Sequence, residues 1–322
     1  MTVAKFYQRF AQSYQKLPKP LFSVTIRSVL MKTGNTMHTL IQEMLGFLRK
    51  DEIKALPEVG LTLYRCDTPI PQVSYLQEPA VCFILRGQKT VYWGENCLSY
   101  GDGQYMCYSV ELPITSEVLG ASENYPYMGI QMKLNAPILL QLMIDLGKSS
   151  AHFSSDSPAQ IGTINEPMIN ALHRLANLAC SPSDVVILAP LIQRELHYHL
   201  LKSEMADRLY QMVAVGGNVA KIAQAIAFLK ANFRQTLTIE MLANQVNMSV
   251  PNFYRHFRQV TAISPLQYQK SLRLTEARQS IKQKQGTLAQ IARDVGYESS
   301  SQFSREYKRM FGISPSADFQ AV

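Results

Sequence analysis

Near its carboxyl end the chain repeats itself. Phe253, Phe257, Ser264 and Pro265 recur fifty residues later as Phe303, Tyr307, Ser314 and Pro315, while Leu242, Ala243 and Val246 recur at an offset of 49 as Ile291, Ala292 and Val295. The offset changes inside a turn, where Asn247-Met248-Ser249 faces Gly296-Tyr297-Glu298-Ser299, one residue longer. An insertion confined to a turn leaves the helix faces on either side in phase, as two copies of one supersecondary unit tolerate. This part of the chain therefore has to fold as the same small helical unit twice.

Local signals define the unit. Thr236-Leu237-Thr238 opens a helix ending near Val246, a turn follows at Asn247-Met248, and Ser249 is placed to cap a helix running from Val250 to Val260. Two short helices, a tight turn and an N-cap before the second are the helix-turn-helix layout. Between the copies, Ser264 and Pro265 start a helix that reaches about Gln283. At about 1.5 Å per residue such a rod is nearly 30 Å long, close to the roughly 34 Å between successive major-groove faces on one side of a duplex.

The charge is placed accordingly. Residues 219–322 hold 14 Lys+Arg against 6 Asp+Glu, whereas residues 1–218 hold 18 of each, so the whole net charge of +8 sits in the last third. Phosphate neutralisation with counterion release dominates nucleic-acid affinity, so a basic domain beside a neutral one suits a polyanion; solubilising a helical domain is the plainer use of the same charge.

At 322 residues the chain is long enough for two cores. No stretch approaches the roughly 20 apolar residues that span a bilayer, so no membrane partner is expected. Cys66, Cys82, Cys97, Cys107 and Cys180 form an odd set without a C-x-x-C pair or neighbouring histidines, which argues against a disulfide framework and a zinc site and suits a cytoplasmic protein. The apolar run Leu21 to Met31 is broken by Arg27 and lacks a small-residue cleavage site, so no signal peptide is read. After Met37, the residues Leu40, Ile41, Met44, Leu45 and Leu48 make a short helix face. From about Leu61 to Leu134, short β-rich runs such as AVCFILRG and TVYWG alternate with Gly, Pro, Asn and Asp, the texture of a small antiparallel barrel. Helical patterns return from Ala136, including an amphipathic helix over 187–201 kinked or started near Pro190.

The expected fold class is thus α+β. An extension of uncertain role covers 1–36, a barrel domain with dimerisation helices covers 37–214, a linker covers 215–218, and an all-helical domain covers 219–322. Within the last, the helix-turn-helix units fall at about 238–260 and 287–311, with the linker helix at 265–283.

With these residues in view, LANQVNMSVPNFYRHFRQVTAISPLQYQKSLRLTEARQSI and IARDVGYESSSQFSREYKRMFGISP resemble the AraC/XylS DNA-binding domain over about a hundred residues. The most specific piece is the block GY-x-S-x-S-x-F-S-R-x-Y-K-x-x-FG-x-SP. One departure is Ala262, where the family usually has glycine after the first recognition helix; Gly312 keeps it in the second unit. If the position needs a positive φ, the first unit has to turn differently or carry strain. The run EPAVCFILRGQKTVYWGENCLSYGDGQYMCYSVELPITSEV is similar to the cupin-like N-terminal domain of one AraC subgroup, over about residues 57–200. The resemblance implies double-stranded DNA and RNA polymerase as partners, a homodimer and a small-molecule effector, with no enzyme activity and no cofactor. The segment before Met37 lies outside it and is expected to be an upstream extension.

If Phe253 and Phe257 face the core, Pro251, Asn252, Tyr254, Arg255 and Arg258 face outward. By resemblance Pro251, Tyr254 and Arg255 hold the base-reading positions; Arg255 is the candidate for a bidentate guanine contact and Arg258 for phosphate, a solvated surface charge being the dull alternative for each. In the second unit Ser300, Ser301, Gln302, Ser304 and Arg305 face the groove, the short hydroxyls reaching phosphates more readily than bases and Arg305 being the exception, with Lys308 and Arg309 electrostatic. Arg305 could instead pair internally with Glu298 or Asp294. Specificity is expected mainly in the first unit and anchoring in the second.

In the barrel, Tyr75, Phe83, Tyr92, Trp93, Tyr105, Met128 and Met132, with Cys107, could line a pocket for a fairly apolar effector or simply fill the core. Thiol sensing by Cys82, Cys97 or Cys107 lacks a nearby cation to lower a pKa. His197 and His199 are i and i+2 on a helix, about 200° apart, so they cannot grip one ion, and residues 61–134 contain no histidine; a metal centre is not expected. Glu195, Leu196, Leu200 and Leu201 are expected in a dimer or interdomain helix. Rival readings are an enzyme fused to DNA-binding units, which would need a cysteine cluster absent here, and an architectural DNA-binding protein without ligand.

Overall fold

The computed structural model describes residues 36–147, 159–214 and 217–320. The expected extension over 1–36 falls almost wholly outside the described residues, and so do the first two residues of the expected linker. A helix over 36–47 (α1) leads into ten strands: β1 (Ile53–Leu56), β2 (Leu61–Cys66), β3 (Ile70–Gln77), β4 (Ala80–Arg86), β5 (Gln88–Trp93), β6 (Asn96–Gly101), β7 (Gln104–Tyr108), β8 (Leu112–Val118), β9 (Tyr127–Lys133) and, after helix α2 (Ala136–Asp145), β10 (Ala159–Thr163). One sheet has the order β1-β2-β9-β4-β7-β10 and the other β3-β8-β5-β6. Every pairing is antiparallel, as short strands joined by tight turns require.

The larger sheet is covered on both faces. Leu61, Leu63, Val81, Phe83, Leu85, Tyr105, Met128, Ile130 and Met132 pack against α1, α2 and the helices α3 (Glu166–Leu178), α4 (Pro182–Leu201) and α5 (Ala206–Val213). The opposite face, with Cys66, Cys82, Ile84, Met106, Tyr108 and Tyr127, meets Val91, Trp93, Tyr100, Leu112, Ile114 and Val118 of the smaller sheet. Double coverage explains why β4 reads as an unbroken apolar run instead of alternating.

Helix α4 starts at Pro182, earlier than the sequence suggests, and runs unbroken through Pro190. Its inner stripe is Val185, Ala189, Ile192, Leu196 and Leu200, at spacings of three and four, so packing holds a helix that Pro190 alone would end. Leu196, Leu200 and Leu201 are buried in the domain's own core. They are therefore unavailable to a partner, and the outward side of α4 carries Val186, Ile187, Leu188 and Leu191 instead.

The carboxyl-terminal domain is helical throughout: α6 (Asn218–Asn232), α7 (Ile239–Gln245), α8 (Val250–Thr261), α9 (Pro265–Lys282), α10 (Leu288–Asp294), α11 (Ser300–Phe311) and α12 (Pro315–Gln320). Asn218 already belongs to α6, whose N-cap is Gly217. The repeat is structural as well as sequential. Leu242, Ala243, Val246, Phe253 and Phe257 are buried in the first unit, and Ile291, Ala292, Val295, Phe303 and Tyr307 in the second. Between them α9 begins with a reciprocal capping box of Ser264 and Gln267.

Candidate nucleic-acid interface

In both units the second helix anchors one face by an aromatic pair a turn apart. Ring centroids lie 5.5 Å apart for Phe253 and Phe257, and 5.5 Å apart for Phe303 and Tyr307. That leaves Pro251, Asn252, Tyr254, Arg255 and Arg258 exposed on α8, and Ser300, Ser301, Gln302, Ser304, Arg305 and Lys308 exposed on α11. The structure thus gathers the sequence-derived residues into two outward helix faces of one basic domain.

The two faces are prepared differently. On α8, Arg255 donates to Asn252 Oδ1 one turn earlier at 3.1 Å and lies 3.4 Å from His256 Nε2, which holds the guanidinium against its own helix while leaving it exposed. Arg258 makes no ion pair among the described residues. On α11, Ser299 caps the helix by accepting from Gln302 N–H, its hydroxyl lies 2.9 Å from that of Ser301, and Gln302 Nε2 donates to Glu306. Arg305 makes no salt bridge to Glu298 or Asp294 among the described residues, so the internal alternative for it is not the one adopted.

Sequence reading missed the joints that fix the units to α9, because they rest on single polar residues without a motif. Arg273 donates from Nε to Phe233 O at 2.7 Å, from Nη1 to Gly296 O at 2.7 Å and from Nη2 to Gln235 O at 2.9 Å. It thereby ties the end of α6 and the second turn to the linker helix. Gln269, 5% exposed, donates to Phe233 O and Gln235 O. Asp318 accepts from Tyr307 OH at 2.6 Å and from Arg278, closing the end of the second unit. A polar residue inside the apolar stripe of a helix, as Arg273 is between Leu272 and Leu274, is the signal that could have exposed such a clamp.

The smaller sheet's outer face rests on the helical domain. Ser74 donates to Met310 O at 3.2 Å, Tyr268 OH to Glu111 O at 3.0 Å, and Lys230 pairs with Glu111 at 2.7 Å. A Cβ on Gly94 would lie 2.9 Å from Ala262 O, so this turn needs its glycine to approach the exit of α8. An open cleft of 330 Å³ between the domains is lined by Tyr92, Ile114, Gln267, Lys270, Arg309 and neighbouring residues.

The seven residues proposed for an effector pocket are not brought together. Phe83, Tyr105, Met128 and Met132 point out of the barrel into the helix-facing core. Tyr92 is on the other outer face, donating to Glu117, and only Tyr75 and Trp93 share the inward parity. Aromatic content cannot assign a face when both faces of a strand are buried, because a shift of one residue exchanges them. The cysteines Cys82 and Cys107 are buried, and burial pushes their thiols up to about 11 and about 12. His197 accepts from Asn135 N–H at 3.0 Å and lies 2.7 Å from Gln193 O, a neutral core histidine whose pKa is lowered by burial. His199 turns toward Glu195 instead.

A two-sheet barrel carrying a basic pair of helix-turn-helix units defines the class: a two-domain helix-turn-helix transcription regulator. The family description "AraC-type transcriptional regulator N-terminus" matches residues 57–208, and a "Helix-turn-helix domain" matches residues 242–321; between them they cover more than two thirds of the chain. The chain belongs to the AraC/XylS family of transcriptional regulators. It is 34% identical over 104 residues to the HTH-type transcriptional regulator ArgR of Pseudomonas aeruginosa, a match covering 32% of each chain. It is 27% identical over 152 residues to the HTH-type transcriptional activator RhaS of Salmonella agona, covering 47% of this chain and 54% of that one. These matches span a third to about half of the relatives' length. Among solved structures, ToxT of Vibrio cholerae, bound to an unsaturated fatty acid, superimposes with a TM-score of 0.56 at 9% identity, over 80% of this chain and 94% of that one, and shares its fold.

Proposed function

We propose that the protein is a sequence-specific, non-enzymatic regulator of transcription that places α8 and α11 in successive major grooves of double-stranded DNA, modulated by an effector bound in the barrel domain. The observation that carries this is the pair of outward faces just described, equivalent in burial and projecting from a domain whose balance of +8 equals the net charge of the whole chain. The contact of the smaller sheet with Met310, Tyr268 and the exit of α8 supplies a physical path from barrel to DNA-binding helices. Genome-wide footprinting of bound sites tests it. Promoter-restricted occupancy with a shared base motif is expected; uniform binding with a full salt slope and no motif points to an architectural protein and overturns it.

Self-association belongs to the same reading. Val186, Ile187 and Leu191 on α4 are 76%, 67% and 59% exposed, and Ile144 at the end of α2 is 62% exposed, an apolar surface that monomers rarely leave open. We read it as a homodimer face; Leu191→Lys is expected to shift sedimentation from dimer to monomer. Recruitment of RNA polymerase in the cytoplasm, which the family resemblance implies, is read by the same promoters in a reporter assay.

A further inference from the structure

The barrel holds a cation without an anion. Lys89 on β5 pairs across the sheet with Tyr100, 1% exposed and inward, so the lysine shares the inward parity. Its Nζ donates to Tyr75 OH at 3.1 Å, and Tyr75, Tyr127, Cys82 and Tyr108 are the groups that act on its charge. None of these is a carboxylate. Burial pushes the phenols of Tyr100, Tyr108 and Tyr127 well above their ordinary value and the Cys82 thiol up to about 11, so all are neutral near pH 7. No carboxylate pairs with Lys89 among the described residues; Glu117 on the neighbouring strand points outward to Tyr92.

Two further hydroxyls in the same core lack partners. Tyr100 OH and Tyr108 OH are buried and make no hydrogen bond, a costly condition for a polar atom away from water. Tyr64, Tyr75, Lys89 and Gln131 occupy inward positions yet keep accessible surface. The rest of the inward wall is apolar, including Ile84, Val91, Met106 and Ile114.

We propose that the effector is a small organic carboxylate seated in the barrel, its oxygens held by the Lys89 ammonium and the Tyr100 and Tyr108 hydroxyls and its apolar body against Ile84, Val91 and Met106. A carboxylate supplies what the site lacks, one negative charge and acceptors for several donors. With no inward acid among the described residues to receive it, a cationic or zwitterionic ligand is disfavoured. The proposal rests on the reading that the barrel senses an effector and names the chemistry of that effector.

The chain has one tryptophan, Trp93, on β5 with the same parity as Lys89, so its fluorescence reports on the interior. The full-length protein is titrated with butanoate, hexanoate and cyclohexanecarboxylate, and with their primary amides, following Trp93 emission and thermal unfolding. At least one acid is expected to shift both signals, with its amide at least tenfold weaker. Lys89→Met should weaken that acid tenfold or more while circular dichroism and gel-shift affinity for DNA stay unchanged. The double variant Tyr100→Phe/Tyr108→Phe should weaken it severalfold without altering charge. Amides that bind as tightly as acids, untouched by Lys89→Met, overturn the carboxylate while leaving effector sensing in place. Silence toward every acid and amide overturns the proposal and counts against the sensing barrel too.

Discussion

The two helix-turn-helix units bury equivalent residues and differ almost everywhere else. Their cores are near copies, Phe253 and Phe257 against Phe303 and Tyr307. Their turns are not: Asn247 takes φ 51° in the first unit and Gly296 takes φ 93° in the second. Their caps, exits and outward residues differ as well. A shared core thus specifies a framework, while the joints decide how rigidly each framework is held and what it presents. The second unit is clamped to α9 through Arg273 and Asp318; the first is held by the α6 helix and the barrel.

The turns offer the largest test of that difference. A Cβ at Gly296 would collide with Arg234 O and lie 3.0 Å from the Arg273 guanidinium, in a backbone region that already strains L-residues. Gly296→Ala is expected to destabilise the protein by about 3 kcal/mol or more, whereas Asn247→Gly should change stability by only a few tenths of that, asparagine being tolerant of the left-handed region. Urea unfolding of the two variants compares them. Equal effects would mean that the second turn is no tighter than the first.

DNA affinity tests the division of labour. Arg255→Ala should weaken specific binding by about 1 to 3 kcal/mol and relax one base position, since the exposed guanidinium is oriented by Asn252. Lys308→Ala, exposed on α11, should weaken all sequences alike and lower the salt slope by about one. Binding-site selection with each variant reads both. Should Arg305→Ala alter sequence preference more than Arg255→Ala, the roles of the units are reversed.

How much of this could be read from the chain depends on whether one face or two are buried. The helical units were legible because α8 and α11 each have a single buried stripe, so Phe253 and Phe257 fixed which side faces outward. The existence of the barrel was legible from turn-punctuated β-rich runs, but its lining was not. In β4 and β7 consecutive residues are buried, so periodicity carries no information about parity, and nothing in the sequence shows that Phe83 and Tyr105 turn toward the helices and not the barrel interior. Lys89 carries no local signal, because a lone lysine in a strand is ordinarily solvated surface. The clamps of Arg273 and Gln269 reach backbone carbonyls more than twenty residues away, a relation that no local pattern encodes.

The exits of the recognition helices differ by one methyl group. Ala262 adopts φ 62° and Gly312 φ 75°, both left-handed, so the first unit carries the strain that its missing glycine implies. No atom would lie within 4 Å of a Cβ on Gly312, so Gly312→Ala isolates the backbone cost, expected at about 1 kcal/mol of lost stability. Ala262→Gly should gain about the same or somewhat less, the flexibility of glycine in the unfolded chain offsetting part of the relief. Thermal unfolding measures both; a destabilising Ala262→Gly would show that the methyl group packs against the barrel more than it strains the turn.

The smallest contrast lies one residue after each key arginine, where His256 in the first unit corresponds to Glu306 in the second. Burial and the adjacent Arg255 charge hold the His256 pKa below its ordinary 6.5. For Glu306, burial acts to raise the value, but hydrogen bonds from Lys270, Tyr297 and Gln302 outweigh it and the pKa is lowered from 4.5. Both groups therefore bind protons more readily in the unfolded chain, and both lose stability on acidification. Their windows differ: the His256 contribution is present above pH 6.5 and fades below it, whereas that of Glu306 persists until below pH 4.5. Between pH 7.5 and 5.5 the wild-type protein should lose slightly more thermal stability than His256→Gln, while Glu306→Gln should lower stability at both pH values without changing the slope. A slope reduced by Glu306→Gln, or unaffected by His256→Gln, would remove the first unit as the more acid-sensitive half of the pair.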